Sequence, residues 1–167
     1  MEKTLIGFLL LVSPSVFAVS VFDKVTPEQP ICYGREYSAE YLKSRPKQTV
    51  QKILAKFSKD AEYNQNLMTV EITLKGKKHF YKNYRSLLFC DKNDDCYVEC
   101  DGGSASVSLQ QDGRMHFKNN GFAIQGGCGS EEEDGFLLKP TVGGDDRFRL
   151  IKIPSGFCQK APDYLRE

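Results

Sequence analysis

Six cysteines, Cys32, Cys90, Cys96, Cys100, Cys128 and Cys158, constrain this chain more than any other feature. They follow an N-terminal export signal, and an even set of thiols in an exported chain reads as a disulfide framework. The signal spans residues 1–18. Lys3 gives the basic start, Leu5–Val12 the short apolar core, and Val16 and Ala18 the small residues at the cut. Pro14 breaks the apolar run, which is shorter than the roughly 20 residues of a membrane span. Cleavage after Ala18 is expected. No cysteine stands at the cut, which argues against a lipid anchor, and no later stretch is apolar enough to make a transmembrane segment of the mature chain. The brevity of the signal and the Ser13-Pro14-Ser15 lead-in favour a bacterial periplasm, with secretion as the other destination.

Residues 19–167 are then expected to form one disulfide-stapled domain. About 150 residues can hide roughly 68–70% of the unfolded surface, enough for a real core. Many cysteine pairings are open, and chain position ranks them. Cys32 and Cys158 sit near the two ends and would staple them. Cys90 and Cys96 flank the polar loop Asp91–Asp95. Cys100 and Cys128 lie beside glycine-rich turns and could join neighbouring strands. A zinc site is the rival use, but Cys90, Cys96 and Cys100 lack the paired Cys-x2-Cys spacing and no histidine stands close by.

The hydrophobic pattern is mainly of period two. Ser38–Arg45 reads as one short N-terminal helix, capped by Ser38 and stopped by Pro46. Residues 19–31 read as an extended lead-in. Thr49–Phe57 fits a half-buried strand, although Val50, Ile53, Leu54 and Phe57 also fit a helical spacing. Met68–Leu74 alternates more cleanly, with a turn at Lys75-Gly76-Lys77 and a return over Lys78–Tyr81. Tyr97–Cys100, Ala105–Gln110, Met115–Lys118, Phe122–Gln125, Gly135–Lys139 and Arg147–Ile153 read as further strands. Asp112-Gly113 is the strongest hairpin signal, and Asn119-Asn120-Gly121 reads as another turn. Short strands at this spacing predict a mainly β fold: a single antiparallel barrel or sandwich of about eight strands with one short N-terminal helix.

The net charge of +1 gives no global field for drawing in a polyanion, which argues against nucleic acid as a partner. A local patch stands out: Lys75, Lys77, Lys78, Lys82 and Arg85, interleaved with His79, Tyr81 and Tyr84, form a basic stretch suited to an anionic polymer. The plainer interpretation is an edge hairpin guarded by lysines. Asp91–Asp95 resembles the start of a calcium loop, but Cys96 and Gly102 stand where such a loop needs glycine and glutamate. Glu131–Asp134 and Asp145-Asp146 are acidic clusters that read as solvated loops. His79 and His116 are the only histidines, and no Gly-x-Ser-x-Gly elbow accompanies them. No catalytic residue, metal ligand or cofactor is assigned.

The stretches Cys32-Tyr33-Gly34-Arg35-Glu36-Tyr37, Cys100-Asp101-Gly102-Gly103 and Asp145-Asp146-Arg147-Phe148-Arg149-Leu150 resemble features of uncharacterised exported bacterial proteins. The resemblance spans most of the mature chain and implies export without implying an activity. Lipocalins, exported eight-stranded barrels, are a second comparison, but the chain has no tryptophan for their Gly-x-Trp. The expectation is a periplasmic, non-catalytic binding or interaction protein, for a small ligand or an envelope protein. The alternatives are an envelope hydrolase or metal-dependent enzyme using a histidine, and anionic-polymer binding through the basic hairpin.

Overall fold

The computed structural model describes residues 19–75, 84–124 and 136–158. The expected signal, residues 1–18, lies outside them. The described chain runs through a 3-10 turn at Val21–Lys24, then β1 (Ile31–Glu36), α1 (Ala39–Ser44), β2 (Val50–Asp60), β3 (Gln65–Leu74) and β4 (Tyr84–Cys90). It continues with β5 (Asp95–Tyr97), β6 (Gly103–Leu109), β7 (Met115–Ile124), β8 (Phe136–Leu138), β9 (Arg147–Ile153) and α2 (Ser155–Cys158). Hydrogen-bonded neighbours run β6-β5-β4-β3-β2-β1-β9-β7, and β6 pairs with β7 to close the circle. The fold is a closed, eight-stranded antiparallel barrel. β8 is an extra strand, pairing with Phe122–Ile124 of β7 while β9 takes Met115–Lys118.

Alternation along the strands sorts the side chains. Phe57, Met68, Ile72, Leu88, Phe117 and Leu150 point inward and are at most 1% exposed. Phe117 packs edge-on to Phe148 at 6.0 Å between ring centroids. Each such side chain contributes roughly 1.5–3 kcal/mol by leaving water. An eight-stranded barrel is just wide enough for side chains to fill, and these fill it. The outward positions mix charged and hydroxyl side chains with apolar ones such as Leu87, Phe89 and Ile151. No described helix is long and apolar enough to cross a membrane.

Two local features explain where the period-two reading failed. Val50 and Ile53 both face inward although three residues apart, because the β2–β3 register shifts between Val50 and Lys52. That bulge produces the helix-like spacing. Likewise, Asn119-Asn120-Gly121 does not turn the chain. β7 runs straight through it, and the β6–β7 register shifts between Gly103 and Ala105. Gly121 takes a φ of 94° there and its N–H donates to Asn119 Oδ1. The turn chemistry is real, but it builds a bulge.

Other expectations moved as well. The lead-in is not extended throughout: Val21 and Phe22 sit in the 3-10 turn, buried with Val25, and Phe22 meets Phe57 edge-on at 5.6 Å. β1 and β4 are strands that the alternation did not announce. The strand expected over Tyr97–Cys100 lies earlier, since Cys100 and Asp101 adopt left-handed φ angles of 53° and 59° and end it. The return expected over Lys78–Tyr81 lies outside the described residues. The short helix stands where expected, with Ser38 Oγ accepting from Tyr41 N. The Asp112-Gly113 hairpin also forms, Gly113 taking a φ of 78°.

Candidate functional site

Of the expected basic stretch, Lys75 and Arg85 are described, and Lys77, Lys78, Lys82 and His79 lie outside the described residues. Lys75 Nζ donates to the carbonyls of Arg45 and Pro46, at 3.4 and 3.2 Å. Arg85 on β4 faces Glu71 on β3, with Nε 3.7 Å from Oε2. Burial pushes the Glu71 carboxyl up, against the opposing pull of Arg85 and Lys52. Both described cations therefore serve the fold.

The described cysteines are committed too. Disulfides join Cys32 to Cys158 and Cys90 to Cys96, with Cα atoms 5.3 and 4.0 Å apart. Cys100 is also disulfide-bonded, and Cys128 lies outside the described residues. Asp91 organises the loop inside the Cys90–Cys96 bridge, its Oδ1 accepting from Asn93 N and Asp95 N. Asp94 turns inward: it accepts from Ser20 Oγ and Val21 N, at 2.5 and 3.2 Å, and so pins the N-terminal turn. Its burial raises its pKa above the ordinary 3.8.

Asp145 is likewise structural. Its carboxylate accepts from Thr49 N, Thr49 Oγ1 and Val50 N, and its carbonyl accepts from Asn119 Nδ2. Asn119, 2% exposed, donates also to Leu138 O, tying the β7 bulge to β8 and to the loop before β9. The cluster Glu131–Asp134 lies outside the described residues. Among the described residues no group of His, Cys, Asp and Glu side chains comes together to hold a metal ion. Arg35 lies 4.8 Å over the Tyr37 ring and donates to Arg149 O. Burial pushes the Tyr37 hydroxyl up to about 12.

The outer wall over β6, β7 and β9 is different. The inward turn of Val107, Phe117 and Phe148 sends their neighbours out. The register then builds two rows: Ser106–Lys118–Arg147 and Ser108–His116–Arg149. Strands stand about 4.8 Å apart and alternate residues about 6.8 Å, so Lys118, Arg147, Arg149 and His116 occupy the corners of one small rectangle. A shallow groove of about 380 Å³ follows these rows, and no carboxylate lines it. Among the described residues, none of Lys118, Arg147, Arg149 and His116 has a side-chain hydrogen bond or ion pair. The other described arginines are all engaged: Arg85 by Glu71, Arg114 by Asp112, and Arg35 and Arg45 over tyrosine rings.

The sequence showed these residues without grouping them. Lys118 and Arg147 are far apart in the chain, and only the β7–β9 pairing makes them neighbours. The one usable signal was the strict alternation of Ser106-Val107-Ser108 and Arg147-Phe148-Arg149, which places both sets on one face. His116, a candidate general base in the hydrolase reading, sits exposed between Ser108 and Arg149. In comparisons with known proteins, no family model, curated protein or solved structure matches the chain.

Proposed function

We propose that this is an exported, non-catalytic binding protein that holds an anionic ligand on the outside of its barrel, at the β6–β7–β9 wall. The observation that carries the reading is the pair of unengaged arginines, Arg147 and Arg149, joined by Lys118 and His116 on one carboxylate-free surface. Like charges placed in register repel one another. An anion seated among them removes that cost, and guanidinium groups suit oxyanions in bidentate geometry. The filled interior supports an outside site over a lipocalin-like cavity. Two disulfides fit an oxidising compartment, and the apolar leader supports export to a periplasm.

The test is elution from an immobilised polyanion as salt rises. Arg147→Gln/Arg149→Gln should elute at clearly lower salt than the native protein, whereas Lys24→Gln/Lys43→Gln, with the same loss of charge elsewhere, should shift little. Equal shifts for both pairs would remove the wall from the account. Sequencing the exported protein should give Val19 as its first residue; a retained leader would contradict the export reading.

A further inference from the structure

We infer that the ligand of this wall is a carbohydrate bearing oxyanion groups, such as sulfate or phosphate esters; this rests on the reading of the wall as an anion site. The cations occupy only the β7–β9 side. Toward β5 the chemistry changes. The row of Lys118 continues through Ser106 to Asp95, and the next row up pairs Ser104 with Tyr97. Cys96 between them faces the core, so Asp95 and Tyr97 face out, and Tyr97 is 50% exposed. The surface thus passes from guanidinium and ammonium groups, through hydroxyls, to a carboxylate and the half-exposed ring of Tyr97.

That gradient fits a sugar better than the other anionic polymers. Sugar hydroxyls both donate and accept, which serine hydroxyls and a carboxylate can match. The apolar face of a sugar ring can lie on Tyr97, whose ring is flat and whose hydroxyl stays wet. The charged substituent then reaches the arginines. A single-stranded nucleic acid asks for something else, namely several aromatic rings on which successive bases stack. Here Phe117 and Phe148 under the groove point inward at 1% exposure, and the outward rings, Tyr97 and its β4 partner Phe89, stand together beyond β6 rather than spaced among the cations. Asp95 would also repel a phosphodiester backbone laid along the row, whereas it can accept from a sugar hydroxyl.

The experiment is a fluorescence titration of the mature protein with dextran sulfate, with unsulfated dextran and a single-stranded oligonucleotide of matched charge alongside. Dextran sulfate should bind about tenfold or more tightly than the oligonucleotide, and unsulfated dextran weakly. Tyr97→Ala/Ser106→Ala should weaken dextran sulfate by about tenfold and leave the oligonucleotide unchanged. Both side chains face outward, and circular dichroism checks that the variant is folded. Oligonucleotide binding as tight as dextran sulfate, or a variant that weakens both ligands equally or neither, overturns the carbohydrate inference while the anion site stands. If Arg147→Gln/Arg149→Gln leaves every polyanion bound as before, the anion site itself falls and this inference with it. A phosphorylated dextran in place of the sulfated one tells which ester is preferred.

Discussion

Asp145→Ala is the perturbation whose cost can be worked most directly from the structure. Asp145 is 2% exposed, and its carboxylate is the acceptor for Thr49 N and Val50 N at the bulged start of β2. Alanine leaves the Val50 N–H buried without an acceptor and strips a charged acceptor from Thr49. A buried unsatisfied group costs about 1–3 kcal/mol, and hydrogen bonds to charged groups are worth about 1.5–3 kcal/mol. The Thr49 hydroxyl is partly buried and can turn to water, so the sum settles near 3 kcal/mol. With a urea slope of roughly 1–3 kcal/mol/M, the unfolding midpoint should fall by about 1–3 M at unchanged slope. Thermally, the loss corresponds to roughly 6–12 °C for a domain of this size. Asp146→Ala is the control, because Asp146 contributes its carbonyl, not its carboxylate, to Asn119 N; it should change stability by less than about 0.5 kcal/mol. A loss under about 1 kcal/mol for Asp145→Ala would refute the idea that this carboxylate organises the β2 entry.

Three further outcomes are expected. Asp94 has a folded pKa raised above 3.8 by burial, so the fold favours its protonated form; its contribution is fullest below that value and is lost as pH climbs through the raised one. Asp94→Asn should remove this slope and gain on the native protein as pH rises, read from urea midpoints between about pH 3 and 7; a parallel pair of curves would contradict it. The Cys32–Cys158 bridge closes a separation of 126 residues and Cys90–Cys96 one of 6. On the chain-entropy account the paired serine variants should lose about 5 and about 2 kcal/mol respectively, and equal losses would count against that account. Gly103→Ala should prevent folding or cost several kcal/mol, because its φ is 85° and a Cβ would stand 1.9 Å from Gly121 O. Gly113→Ala, with open space around it, should cost only about 1–2 kcal/mol; similar melting temperatures would contradict the distinction.

The barrel was legible in the sequence because alternation survives where one face is buried and the other wet. Met68–Leu74, Ala105–Gln110 and Arg147–Ile153 show this, and β9 matches its expected bounds. What escaped has physical causes. The bulge at Val50–Lys52 mixes two periods, and the bulge at Gly121 hides inside turn chemistry. In β1, Tyr33 is buried with Cys32 and Gly34 beside it, so no alternation appears. Gly34 is there because a Cβ would stand 2.9 Å from Ile53 O. The candidate site was less legible than the fold. A run of basic residues draws attention to Lys75–Arg85, whereas the wall is assembled across three strands by register. Its cations stand singly in the chain, each beside a core residue, and their grouping is a property of strand order.

The most direct test of an anion held on the outside of a filled barrel is an amide chemical-shift map of the mature protein titrated with dextran sulfate. Shifts should concentrate at Ser106, Ser108, His116, Lys118, Arg147 and Arg149, with Lys75 and Arg85 unmoved. Shifts centred on Lys75 and Arg85, or on the amides of the inward-facing Phe57, Met68 and Ile72, would contradict it.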